Sequence, residues 1–284
     1  AARLLTATAL IGSLLVGVET AKALAYAWGK TIMPVNHLIA HLYANFVSGN
    51  SKVKSQKSKV QVETKNSTPK FPAIGLVVSG GHTDLVLMKG HGKLKWLGGT
   101  RDDAAGECFD KCSRLLGLGY PGGPAIAAEA AKLLKRSDLV GKQQGPTLPR
   151  PLLHEDTYDF SFSGLKTAVF RIINEQKTMN NEVKAQIAYE LQEAIVEVLV
   201  SKLIKAVEEF KPKSLLLGGG VAANTRLRQK LELGIRNYEL GIKLFMPPPE
   251  LCTDNAVMIG AAAFYNFTPL PWQKVAVDPG LEII

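Results

Sequence analysis

"AIGLVVSGGHTDLVLMKGHGKLKWLGG", residues 73–99, contains two apolar runs on either side of a Ser-Gly-Gly turn and a third run after Gly-His-Gly. Short apolar runs punctuated by glycine turns read as the start of a β-meander. Downstream, residues 103–117 and 123–135 read as helices joined by "GLGYPGGP", and 136–160 as a Pro-containing connector without clear periodicity. Helices are expected again at 163–176 and 182–210, where apolar positions recur at three and four. A strand "SLLLGGG" follows, then a helix from Val221, a strand "KLFMPP", and a helix from about Asp254 to Tyr265. Upstream, 12–28 reads as a helix closed by Gly29, and "TIMPV" as a short strand leading into "NHLIAHLYANF". Strands that interleave with helices make the class α/β, expected as two lobes around a cleft. No internal repeat of solenoid period is present.

The bulk numbers set limits around that reading. At 284 residues the chain is long enough for two domains, or for one large domain with a well-buried core. A composition of 46% hydrophobic, 21% charged and 7% aromatic residues excludes a disordered, collagenous or disulfide-built chain. The net charge of +9 favours anionic partners such as nucleic acid or nucleotides, against the plainer reading of a basic protein without one. The cysteines Cys108, Cys112 and Cys252 are odd in number and point to a reducing compartment. Cys108 and Cys112 lie one helical turn apart, but no second pair completes a four-thiolate zinc site, so they read as helix residues.

The N-terminal stretch has an Arg, an apolar run and small residues, as a signal peptide does. From Leu4 to Val18 the run is too short to span a bilayer. Glu19 and Lys22 continue it as one amphipathic helix, so a core helix is expected. The first residue is not Met, and the chain is expected to continue a longer protein. Residues 49–70, with six lysines and almost no large apolar side chains, read as an exposed, mobile insertion. Those lysines would touch phosphates or simply be solvated.

Four motifs carry chemistry. In "VVSGGHTDLV" two glycines let backbone amides approach an anion closely, although any tight hairpin uses Gly-Gly. In "LLLGGGVAANTRLR" a strand runs through three glycines into a helix, placing helix-N-terminal amides where an anion would sit. That stretch matches neither the dinucleotide fingerprint nor the P-loop. Asn224 there is a candidate contact to a sugar or base edge. In "DDAAGECFDKCSRLLGLGYPGGP", Asp102, Asp103, Glu107 and Asp110 crowd a helix start, where the macrodipole favours acids. Asp110 lies deeper and is a candidate to face a cleft, and the turn at Tyr120–Pro124 offers exposed backbone at Gly122 and Gly123. In "NHLIAH", His37 and His41 stand at i, i+4 and can share one metal, or be two ordinary helix histidines. A third ligand would be a carboxylate, His or Cys, and "ELCTDNAVMIG" offers Asp254. Leu38 follows His37 where a zinc peptidase has its general-base Glu, which disfavours peptide hydrolysis.

Six motifs in this order, "PVNHLIAHLYANF", "LVVSGGHTDL", "DDAAGECFDKCSRLLGLGYPGGP", "DFSFSGLKTAV", "GGGVAANTRLR" and "CTDNAVMIGAAA", closely resemble the TsaD family of tRNA threonylcarbamoyladenosine synthases, of bacterial or organellar type. The resemblance covers residues 10–268, with 49–70 as an insertion. It implies the two-lobed actin-like ATPase (ASKHA) fold. By this resemblance residues 1–71 are the remainder of lobe one, 72–250 lobe two, and 251–284 a helix returning to lobe one with a tail. The implied reaction moves a threonylcarbamoyl group from threonylcarbamoyl-adenylate to N6 of the adenosine 3′ to the anticodon in tRNAs reading ANN codons.

The resemblance further implies that His37, His41 and Asp254 hold one divalent ion, iron or zinc. Val77, Val78, Ser79, Gly80 and Gly81 would line the adenylate site, with Asp110, Gly123 and Asn224 as the remaining nucleotide and substrate contacts. An ATP- or AMP-type nucleotide in the cleft is implied, and tRNA is the acceptor. TsaB- and TsaE-type proteins are the implied bacterial partners, or a homodimer if the protein is organellar. The implied location is the cytoplasm, or an organellar matrix in a eukaryote, with no membrane. Two departures stand out. The actin-like hairpin region that opens family members is missing, and "TATALIG" stands at the place of their Gly-Pro-Gly turn, so lobe one is expected to be truncated and to expose apolar surface. Ala127 stands where many members have Asp after the Pro-Gly-Gly-Pro. Alternatives in other classes are an inactive truncated paralogue or scaffold of the modification complex, and a kinase-like phosphotransferase of the same superfamily.

Overall fold

The computed structural model describes residues 11–47, 68–134, 145–176, 179–237, 242–278, 280 and 283. Five strands, β1 (Ala73–Val78), β2 (Thr83–Gly90), β3 (Lys93–Gly99), β4 (Ser214–Gly218) and β5 (Lys243–Phe245), form one mixed sheet in the order β3-β2-β1-β4-β5. The meander expected at 73–99 is present: β1 pairs antiparallel with β2 and β2 with β3, while β1–β4 and β4–β5 are parallel. Central β1 is buried along its whole length, as a strand covered on both faces must be.

Side chains alternate between the two faces. Ile74, Leu76 and Val78 point into a core built with α3 (Ala105–Leu115), α4 (Gly122–Leu134), α5 (Ser163–Glu175) and α6 (Asn181–Phe210). Ala73 and Val77 point to the opposite face, covered by α2 (His37–Tyr43) and α8 (Ala256–Tyr265). The 30-residue α6 is buried along much of its length, Gln192, Glu193 and Lys202 included, because it lies within this core, with α7 (Thr225–Asn237) packed on it. An ion-pair chain ties α6 to α7. Glu193 is buried at 5% exposure and meets Arg226 and Lys230, and Glu197 joins Lys230 to Arg150. Burial opposes ionisation of Glu193, but its two cationic partners outweigh it and hold the carboxyl below its ordinary range.

Helix α1 (Ile11–Trp28) buries Val18 and Ala25 against Ile32 and Val275 and leaves Val16, Tyr26 and Trp28 exposed. Among the described residues no helix is long and apolar enough to cross a membrane.

Four local expectations change. "TIMPV" forms no strand, and only Ile32 bridges to Leu270. A 3-10 turn occupies Gly220–Ala223, and α7 starts at Thr225, where the Asn224 side chain accepts from Leu227 N at 3.0 Å as its cap. β5 ends at Phe245, before three prolines that cannot donate to a ladder. α8 begins at Ala256 because Asn255, rather than Asp254, caps it by accepting from Met258 N at 2.9 Å. The insertion expected at 49–70 falls outside the described residues except for its last three.

Candidate metal centre and cleft

β1 and β4 are parallel neighbours, but the chain leaves β1 toward β2 on one side and β4 toward β5 on the other. Connections that diverge in this way open a crevice at the carboxyl ends of the two strands. A cleft of about 670 Å³ lies there, with Ser79, Gly80, Asp110, Gly123, Asn224 and Asp254 in its walls.

Backbone contact lets α2 reach this edge. A Cβ at Gly218 would stand 2.7 Å from the carbonyl oxygen of His41, so β4 ends in glycine where α2 passes. Gly219 has φ +93°, and a Cβ there would collide with the Val78 carbonyl, so this position requires glycine on both counts. Asn45 Nδ2 donates to Leu217 O at 2.9 Å, pinning the end of α2 to β4. Asn36 caps α2 by accepting from Leu38 N and Ile39 N. At its other end the Tyr43 hydroxyl bonds Asn266 Oδ1 and His91 Nδ1, within an aromatic cluster that includes Phe46 and Tyr265.

On that fixed helix His37 and His41 are buried at 4% and 1% exposure. Their Nε2 atoms lie 3.1 Å and 3.4 Å from the same oxygen, Asp254 Oδ1. The three ligand atoms all fall within 4.8 Å of one another. Among the described residues neither buried Nδ1 atom has a hydrogen-bond partner, so the polar edge that each ring offers is the Nε2 facing Asp254. The imidazoles hold the Asp254 carboxyl well below the usual carboxylate range, against the opposing effect of burial. Two imidazoles and one carboxylate suit zinc or ferrous iron and leave coordination positions open for a substrate. The donor set therefore fits a catalytic divalent ion. Asp254 belongs both to this triad and to the cleft, so an ion held here borders the space that a substrate would fill.

The other walls are mostly backbone. Ser79 N donates to His82 O at 2.8 Å and Ser79 Oγ accepts from His82 N at 3.2 Å, closing the turn between β1 and β2. Asp110 Oδ1 accepts from Gly122 N at 2.6 Å and fixes the turn before α4. The side chain of Asn224 is committed at both ends, capping α7 and donating to Gln192 Oε1 at 3.1 Å, so the sugar or base contact read for it is not its resting role.

The structure thus gathers six of the sequence candidates around the cleft, with His37 and His41 joined to it through Asp254. Val77 and Val78 do not line it. They are fully buried in β1, one on each face of the sheet. Gly81 is also absent from the lining. Sequence reasoning missed Phe109, Tyr120, Val221, Thr225 and Thr253, which also line the walls. Tyr120 alone carried a signal, as the aromatic residue opening the Pro-Gly-Gly-Pro turn. Of the acids read as crowding one helix start, Asp102 serves a different helix. It accepts from Phe162 N at 2.8 Å and Ser163 N at 3.2 Å at the start of α5, because the first turn of α3 already has Thr83 Oγ1 as acceptor for Ala105 N.

Comparison with known proteins gives one consistent match. A family profile described as tRNA N6-adenosine threonylcarbamoyltransferase (TsaD) matches residues 10–261. A protein of that name from Syntrophomonas wolfei is 46% identical over 258 residues, covering 91% of this chain and 68% of the relative. One from Desulfitobacterium hafniense is 44% identical over 278 residues, covering 96% and 73%. Another from Geobacillus thermodenitrificans is 42% identical over 284 aligned residues, covering 97% and 73%.

Proposed function

The chain belongs to the TsaD family and is a tRNA N6-adenosine threonylcarbamoyltransferase, and we propose that it works through a divalent ion on His37, His41 and Asp254 beside the cleft. The product is threonylcarbamoyladenosine in tRNA. The observation that carries the site assignment is the convergence of two buried Nε2 atoms on Asp254 Oδ1, an oxygen whose residue also lines the cleft.

The donor is threonylcarbamoyl-adenylate, a mixed anhydride already activated for acyl transfer. The N6 amine of adenosine forms a bond to the carbamoyl carbon and gives up one proton to solvent, the bond from that carbon to the phosphate oxygen breaks, and AMP leaves. No protein nucleophile is needed. What remains for the chain is binding and orientation. Backbone at Ser79 and Gly80 faces the phosphate and acyl part of the donor. Asp110 holds the Gly122–Gly123 turn against the rest of the adenylate, and Asn224 fixes the start of α7. A bound ion, iron or zinc, supplies a Lewis acid for the developing negative charge. The net charge of +9 provides the attraction for tRNA phosphates, to be weakened by salt.

The finer assignments follow family membership in the same way. They are the two-lobed ASKHA arrangement with the lobe limits given above, the adenosine 3′ to the anticodon as target, TsaB- and TsaE-type partners or a homodimer, and a cytoplasmic or organellar-matrix location. The decisive experiment is single-turnover transfer of labelled threonylcarbamoyl from its adenylate to unmodified tRNA, with elemental analysis of the same preparation. Transfer that is lost in His41→Ala together with bound iron or zinc is expected. Unchanged metal content in that variant would overturn the metal assignment, and absence of transfer by the wild-type chain with its partners present would overturn the activity.

A further inference from the structure

We infer that Tyr120 is a stacking platform for a purine ring at the mouth of the cleft. The inference rests on the transferase reading, in which two adenines must reach this cleft, one in the donor and one in the tRNA.

Large aromatic side chains are normally placed where their area is buried. Phe109, Phe160 and Phe162 on this side of the sheet are at most 1% exposed, whereas Tyr120 is 84% exposed. Yet it lines the cleft. Among the described residues it has no ring partner and no hydrogen bond to its hydroxyl, so none of them uses the ring.

The backbone that presents it is nevertheless fixed on both sides. Ser113 Oγ donates to Gly119 O at 2.8 Å just before it. Just after it, Gly122 N donates to Asp110 Oδ1 at 2.6 Å, and Ala125 N reaches Pro121 O at 3.3 Å. The turn sits so tightly on α3 that a Cβ at Gly122 would stand 2.5 Å from Asp110 Cα. A loosely held aromatic at a rim is an ordinary surface residue. An aromatic held out from an anchored turn, at the entrance of a site that must receive adenines, is placed to stack one. Stacking on a π-face tolerates any approach that lays the base flat, and a Tyr ring has only two torsions to fix on binding.

Two probes separate the two adenines. One is AMP, followed by calorimetry. The other is an anticodon stem-loop hairpin, compared with the same hairpin made abasic at the adenosine 3′ to the anticodon. Tyr120→Ala should weaken either AMP or the adenosine hairpin by about tenfold to a hundredfold, the range that one base–aromatic stack is worth. Tyr120→Phe should stay within about twofold of wild type, since the ring and not the hydroxyl makes the stack. A loss confined to AMP assigns the donor's base. A loss for the adenosine hairpin that vanishes with the abasic one assigns the acceptor's base. If Tyr120→Ala changes neither affinity, or if Tyr120→Phe loses as much as Tyr120→Ala, the inference fails. Both arms read binding alone, so the inference can fail while transfer by the wild type still supports the parent reading. The exposed ring has no partner among the described residues to lose, and an unchanged thermal midpoint is expected to accompany the binding defect.

Discussion

The two walls of the cleft are built by opposite means. On the α2 side, the functional groups are side chains: two imidazoles sunk into an apolar layer, completed by a carboxylate that is 55% exposed. On the side of β1 and α4, the functional surface is backbone, exposed where glycine replaces a side chain and held by single acceptors such as Asp110. The difference decides what each wall can lose. Side chains can be removed from the first with the scaffold left standing, whereas the second is the scaffold.

The sharpest test of this contrast removes a ligand. His41→Ala should lower transfer by more than a hundredfold, since even an outer-shell partner of a metal ligand is worth about 10- to 100-fold. Folding stability should fall by no more than about 2 kcal/mol, because the lost ring leaves a cavity but also removes a buried Nδ1 that no described residue satisfies. Transfer kinetics, metal content and chemical denaturation on one preparation check all three. Collapse of the fold in this variant would erase the contrast.

The second test attacks the backbone that supports the β1 wall, where Gly219 packs against Val78. Gly219→Ala must fit a Cβ against the Val78 carbonyl at φ +93°, adding overpacking to a conformation that L-residues rarely adopt. The expected loss is about 3 kcal/mol or more of folding free energy. The molecules that remain folded should keep their full metal content. A third substitution lies away from both walls and calibrates them. Glu193→Gln leaves Arg226 and Lys230 without their buried carboxylate and should cost about 2–3 kcal/mol by denaturation. Per folded molecule it should change neither metal content nor transfer. A transfer defect there would mean that the α6–α7 ion pairs reach the site.

The same contrast explains what could be read from the sequence. His37 and His41 were legible because helical spacing puts i and i+4 on one face, and Asp254 because an acid next to a helix cap stands out. The meander at 73–99 and the long helix of 181–210 were legible from glycine punctuation and apolar period. The backbone wall was less so. "VVSGG" names a turn but does not say which atoms of it are free, and Val77 and Val78 proved to be core residues on opposite faces of β1. Asn224 and Asp102 carry the right chemistry for contact with a ligand or with their own helix. Which long-range partner each takes, Gln192 for the one and the start of α5 for the other, is set by packing that no local pattern encodes.

Asp102 gives the smallest and most specific prediction. Its Oδ1 accepts from Phe162 N and Ser163 N, and its Oδ2 from Ser161 Oγ at 2.6 Å and Ser163 Oγ at 2.7 Å. Partial burial works against the charge, but the serine hydroxyls and the two amides hold the carboxyl below its ordinary range. A carboxylate depressed in the folded state stabilises above its unfolded pKa of about 4, and that contribution is lost as pH falls through the lower folded value. Asp102→Ala should therefore cost about 1 kcal/mol at pH 7, the typical worth of a helix cap, and progressively less below about pH 4. Hydrogen exchange then tells the two helices apart. If Asp102 caps α5, exchange should quicken at Phe162 and Ser163 and stay unchanged at Ala105, whose amide has Thr83 Oγ1 at 2.9 Å. Faster exchange at Ala105 alone would return the acid to the start of α3. The anchoring of α5 beside the backbone wall would then have to come from the neighbouring bridge, in which Arg101 N donates to Phe160 O at 2.9 Å and Phe160 N to Gly99 O at 3.0 Å.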